Sequence, residues 1–97
     1  MIDLAAKYLE AVKSVFRKEL PDCEVRVFGS RVTGSAKRYS DLDVALVADG
    51  KLDFAVLEKL KNIFSESDLP ISVDIHDWKA LSDSFKKSIG DRYEVLV

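Results

Sequence analysis

A chain of 97 residues has room for one compact domain and little more, which excludes a multidomain assembly line. With 47% hydrophobic and 33% charged residues, it is excluded from the disordered class. A net charge of −2 excludes a polycation that coats nucleic acid, so any grip on phosphates must be local.

In chain order, Ala5, Leu9, Val12, Phe16 and Leu20 recur at helical spacing, with Lys7, Glu10, Lys13 and Arg17 between them. This predicts an amphipathic helix over Ile2–Leu20, closed by Pro21. Cys23, the single cysteine, cannot form an internal disulfide and reads as a small, partly buried side chain. Glu24–Phe28 alternates as a short strand and breaks at Gly29. Arg31–Ser40 carries Gly34, Ser35 and three basic residues, which predicts a short helical turn followed by a loop. Leu42–Val47 is an apolar strand ended by Asp49-Gly50.

A second amphipathic helix follows through Leu52, Val56, Leu60 and Ile63. Pro70 restarts the chain, and Ile71–His76 reads as a third strand. Leu81, Phe85 and Ile89 mark a last helix, with Gly90 placed to cap it. The predicted class is α/β, a small mixed sheet with helices packed on one face, forming a single domain over residues 1–97. No apolar run approaches the roughly 20 residues of a membrane span, and the N-terminus lacks signal-peptide regions. We therefore expect a cytoplasmic protein with no membrane association and no direct nucleic-acid contact.

The chemistry concentrates in FGSRVTGSAKRYSDLDVAL, which begins at Phe28. Side chains two apart on a strand share a face, so Asp41 and Asp43 project together while Leu42 and Val44 turn away. Two adjacent carboxylates repel, and a divalent cation offsets that repulsion; Mg²⁺ accepts one or two carboxylates plus substrate phosphates. Asp74, between Val73 and Ile75, must face away from the helices. If its strand neighbours the second, three carboxylates meet on the open face, a ligand set suited to two metal ions about 3.5–4 Å apart in phosphoryl displacement. Gly29 lets the backbone approach a ligand, and the turn after it leaves N–H groups near Ser30 and Arg31 for an anion. Arg31, Lys37 and Arg38 add positive charge just before the acids. A Walker loop is excluded, because Gly29 and Gly34 have its glycine spacing but Ser35 stands where lysine is required.

At these residues the sequence resembles the nucleotidyltransferase superfamily that includes DNA polymerase beta. The signature is Gly29-Ser30, ten residues, Asp41-x-Asp43 and the distant Asp74. Within it the chain is similar to the minimal nucleotidyltransferases, or MntA-like proteins, and Arg31, Gly34, Ala36 and Ser40 match their tendencies. The resemblance implies transfer of a nucleoside monophosphate from a triphosphate, ATP above all, to a hydroxyl. It implies two Mg²⁺ ions held by Asp41 and Asp43, with Asp74 helping bind the catalytic metal and easing deprotonation of the acceptor. Gly29 and Ser30 would grip the β- and γ-phosphates, with Arg31 and Ser40 as further nucleotide-binding residues. It also implies a HEPN-domain partner, the toxin of a toxin–antitoxin pair, modified on a tyrosine. With only Asp91–Val97 after the last helix, a partner or a homodimer is expected to complete the site. The other readings are an antitoxin or binding module that sequesters its partner without catalysis, and transfer to a small molecule. His76 shares the face of Asp74 and is expected near solvent at the strand end. Trp78 is expected over the sheet edge or in a partner surface, and Tyr39 in support of the loop. Tyr93 is expected to be exposed, where it could undergo self-modification.

Overall fold

The computed structural model describes residues 2–50 and 52–97. Its elements are α1 (Ala6–Glu19), β1 (Glu24–Phe28), α2 (Ser30–Thr33), β2 (Leu42–Val47), α3 (Phe54–Ser65), β3 (Val73–Asp77), a 3₁₀ turn (Trp78–Ala80), α4 (Asp83–Ile89) and β4 (Glu94–Val95). The four strands form a mixed sheet in the order β3-β2-β1-β4. β1 runs antiparallel to β2 and β4, whereas β2 and β3 are parallel. The expected α/β class is the observed one.

Alternation along the strands divides the sheet into two faces. Val25, Val27, Leu42, Val44, Leu46 and Ile75 are buried against Val12 and Phe16 of α1 and Leu60 and Phe64 of α3. The Phe16 and Phe64 rings meet at 5.4 Å between centroids. Full burial of one such side chain is worth about 1.5–3 kcal/mol, so this layer dominates stability. Cys23 is buried in the same cluster. The opposite face is partly covered as well: Ile89 of α4 packs on Phe28 and Ala45, with Trp78, Leu81 and Tyr93 around them. This smaller cluster leaves the strand ends near Asp43 and Asp74 for the site.

Helix boundaries differ from the expected ones for local reasons. α1 starts at Ala6, after Ala5 in a non-helical backbone (φ −56°, ψ 140°), and the segment before it is tied to α2 by the Asp3 N–H, which donates to the Arg31 carbonyl at 2.7 Å. It ends before Pro21, whose ring disfavours helical backbone at the preceding residue. Leu52 stays outside α3, its N–H donating to Asp77 Oδ2 at 3.1 Å, and Asp53 caps the helix by accepting from the Ala55 N–H. Ser82 caps α4, and Gly90 follows it at φ +58°, the capping place the sequence indicated. β3 is shifted to Val73–Asp77, and the two-residue β4 is an addition that hydrophobic periodicity cannot reveal. Among the described residues, no helix is long and apolar enough to cross a membrane.

Candidate active site

Strand register builds the site. Phe28 on β1 pairs with Asp43 on β2, and Asp43 pairs in turn with Asp74 on β3. Leu42 and Val44 are drawn to the helices, so Asp43 must project from the opposite face. Parallel pairing then sets Asp74 beside it, and His76 follows on the same side of β3. Ligand atoms of Asp43, Asp74 and His76 all lie within 4.8 Å of one another, and His76 Nε2 stands 3.2 Å from Asp74 Oδ2. The imidazole packs between rings, with centroids 5.6 Å from Phe28 and 6.0 Å from Phe85.

The electrostatics of this group are unfavourable without a counter-charge. Asp43 is half-buried, and that burial raises its pKa above the ordinary carboxylate range. The neighbouring charges of Asp74 and Asp41 push it the same way, while His76 opposes them. A carboxylate held at such a cost, with a second carboxylate and an imidazole in reach, suits a divalent cation. The donor set of two aspartates and one histidine accepts oxygen-preferring and borderline metals alike.

Asp41 is exposed on the last residue before β2 and lies outside the Asp43–Asp74–His76 group, although its charge reaches Asp43. The structure therefore brings together two of the three sequence-predicted acids and adds His76. Position alone signalled that addition, since His76 is two residues beyond Asp74 on a strand.

Gly29 joins β1 to α2 with φ +82°, a backbone that side-chain-bearing residues rarely adopt. A Cβ at this position would stand 2.4 Å from Asp43 Oδ2, so the glycine permits the carboxylate to lie against the backbone. The Gly29 carbonyl accepts from the N–H groups of Val32 and Thr33 at 3.0 and 3.1 Å, which closes the turn into α2. Ser30 is half-buried beside the turn.

Arg31 and Ser40, expected among the nucleotide-binding residues, both make bonds within the chain. Arg31 is buried, and its guanidinium donates to four backbone carbonyls: Asp3 at 2.6 Å, Ser40 at 3.0 Å, Arg38 at 3.3 Å and Lys37 at 3.4 Å. Ser40 Oγ accepts from the Lys37 N–H at 2.8 Å. Both residues hold the loop before Asp41 in shape. Tyr39 is exposed beneath the Arg38 guanidinium. Trp78 and Tyr93 flank the Arg26 guanidinium, at 4.9 and 4.4 Å from their ring centroids. Tyr93 is thus half-buried, contrary to the exposed position expected for it. Asp77, which sequence reasoning passed over, is buried and joins the loop before α3 to the 3₁₀ turn through bonds from the Leu52 and Lys79 N–H groups.

Residues 8–96 match the model of the family described as "Nucleotidyltransferase domain". The chain belongs to this family. As a nucleotidyltransferase it is 44% identical to the probable protein adenylyltransferase MntA of Haemophilus influenzae over 95 residues, 98% of this chain and 83% of that protein. Its fold is shared with a toxin–antitoxin structure containing AMP-PNP, at TM-score 0.72 and 23% identity over 92% of this chain and 72% of the other. It is also shared with a Shewanella oneidensis complex of a tri-AMPylated HEPN toxin and its MNT antitoxin. There the TM-score is 0.65 at 21% identity, over 92% of this nucleotidyltransferase and 68% of the solved chain. The resemblance read from Gly29-Ser30 and the aspartates is thereby borne out at the level of family and fold.

Proposed function

We propose that this nucleotidyltransferase is a protein adenylyltransferase of the cytoplasm, moving AMP from ATP to a hydroxyl of a HEPN-domain toxin and thereby acting as its antitoxin. The observation that carries the reading is the Asp43–Asp74 pair set side by side by parallel strands, with Gly29 folded against Asp43. The similarity to a probable protein adenylyltransferase over nearly the whole chain supports the protein acceptor. Residues 1–97 act in this reading as one minimal domain.

Asp43 and Asp74, with Asp41 as a further carboxylate, would hold divalent cations, Mg²⁺ in a two-ion arrangement. The ions would supply charge neutralisation at the transferring phosphate. The chain's own groups do the remainder. Gly29 and Ser30 give the β- and γ-phosphates a close backbone approach, and the Arg31-anchored loop fixes where Asp41 and Asp43 stand. The acceptor oxygen forms a bond to the α-phosphorus, the bond from that phosphorus to the bridging oxygen breaks, and pyrophosphate leaves. The exposed Asp74 carboxylate receives the hydroxyl proton, aligned by its contact with His76.

The test is label retained on protein after incubation with Mg²⁺, ATP labelled at the α-phosphate and the HEPN partner, beside Asp41→Asn and Asp43→Asn controls. Label on the partner that disappears in both controls supports the reading. Tight association without label, and toxin neutralisation that survives Asp43→Asn, would leave a sequestering module instead. Label on a small molecule alone would move the acceptor class.

A further inference from the structure

We propose that the groove between α2 and α4 receives the terminal phosphates of the nucleotide, and that Arg92 is the cation that binds them; this assignment rests on the nucleotide reading above. A triphosphate brings several negative charges to a site already crowded by Asp43 and Asp74. The basic residue next to the Gly29-Ser30 turn, Arg31, is buried and committed to four carbonyls. Arg31 therefore does not serve the phosphate tail, which leaves a role for a basic side chain on another element.

Gly29, whose backbone lies against Asp43, also walls a groove of about 270 Å³ that faces α4. Phe28, Phe85 and Ile89 give it an apolar lining and Arg92 its positive charge, while the Ser88 hydroxyl is spent on the Phe85 carbonyl at 2.7 Å and that of Thr33 pairs with Ser35 at 3.1 Å. Sites for whole drug-sized ligands run to roughly 300–1,000 Å³, so this one suits a tail better than an entire nucleotide.

Arg92 is exposed, and its position is fixed from both ends. Its backbone N–H donates to the Ile89 carbonyl at 3.0 Å, and one guanidinium nitrogen donates to the Ser88 carbonyl at 2.9 Å. A guanidinium has five N–H donors in a rigid fork, so donors remain for a bidentate phosphate contact. The adjoining groove, which Thr33 and Arg92 also line, includes Asp91 and Glu94. Those carboxylates disfavour an anion there and direct it to the Gly29 side.

The experiment compares binding of ATP, AMP and inorganic triphosphate, each with Mg²⁺, to the unaltered chain, Arg92→Gln and Arg92→Lys by titration calorimetry. Matched unfolding temperatures serve as the check on folding. Arg92→Gln is expected to weaken ATP and inorganic triphosphate by about ten- to a hundredfold, the scale of one charge-assisted contact, and to leave AMP unchanged. Arg92→Lys, a point charge without the fork, recovers part of the loss. Unchanged triphosphate affinity in Arg92→Gln overturns the assignment. So does an equal loss for AMP, which puts the nucleoside end in the groove. If the unaltered chain binds neither ATP nor inorganic triphosphate, the nucleotide reading itself falls, a result distinct from a variant that binds both as well as its parent.

Discussion

Gly29 and Asp43 occupy space that one more carbon would contest: a Cβ on Gly29 would lie 2.4 Å from Asp43 Oδ2. Gly34, also at positive φ, has nothing within 4 Å of the equivalent position. The two glycines therefore separate backbone strain from site disruption. Gly34→Ala is expected to cost about 1–2 kcal/mol of stability and keep nucleotidyl transfer. Gly29→Ala should add displacement of Asp43 to a similar strain and lose transfer as well. Thermal unfolding read together with α-labelled ATP transfer checks the pair, and equal transfer by both variants would refute the role given to Gly29.

The half-buried Asp43 makes a prediction about pH. Its pKa is raised above the ordinary 3.8, first by burial and then by Asp74, so the folded chain holds that proton more tightly than the unfolded chain does. Stability contributed by this group consequently falls as pH rises from the unfolded value through the folded one, and at neutral pH the charge is a net cost. Asp43→Asn, in chelator, should unfold at a higher temperature than its parent at pH 7. The gap should close below pH 3.8, where both side chains are neutral. An Asp43→Asn protein less stable than its parent at pH 7 would contradict the electrostatic account.

Divalent cation should reverse that cost. Mg²⁺ or Mn²⁺ is expected to raise the unfolding temperature in proportion to the logarithm of its concentration, by about 2.7 kcal/mol of stability at a hundred times Kd. Asp43→Asn and Asp74→Asn should each remove the effect. Each should also lower transfer by roughly a thousandfold, since a lost ligand forfeits several kcal/mol of transition-state stabilisation. Calorimetry with and without chelator measures the first, single-turnover labelling the second. A cation-induced rise that persists in both variants would move the metal site elsewhere.

Arg31 ties the loop before the acids to the segment before α1 through four carbonyls. Arg31→Met keeps the stem but leaves those oxygens without their charged donor, at about 1–3 kcal/mol for each one that stays buried. The expected result is faster amide exchange across residues 35–41, a lower unfolding temperature and weaker transfer at saturating ATP. Arg31→Lys should not rescue it, because an ammonium lacks the planar fork. A variant that raises only KM for ATP, with exchange unchanged, would return Arg31 to the nucleotide.

Much of the fold was legible because it depends on local regularities. Helical spacing around Val12 and Phe16, alternation through Val25 and Val27, the break at Gly29 and the stop at Gly90 are all written over a few residues. The two-residue β4 was not legible, since its existence depends on β1 offering a free edge to Glu94 and Val95. The partners of Arg31 were not legible for a related reason. Its position beside Gly29-Ser30 suggests an anion, yet its carbonyl partner at Asp3 comes from 28 residues away.

The sequence by itself determined the chemistry and its sidedness. Alternation with apolar neighbours put Asp43 and Asp74 on the face away from α1 and α3 whatever the sheet order, because those neighbours had to be buried. Tertiary structure alone decided which charges meet. Parallel pairing of β2 with β3 set Asp43 against Asp74 and brought His76 into reach, while Asp41, one residue short of the strand, stayed outside. Packing of α4 onto Phe28 and Ala45 brought Arg92 to the groove that Gly29 borders. Distances between strands and across that packed face come from register and packing, which no single stretch of chain contains.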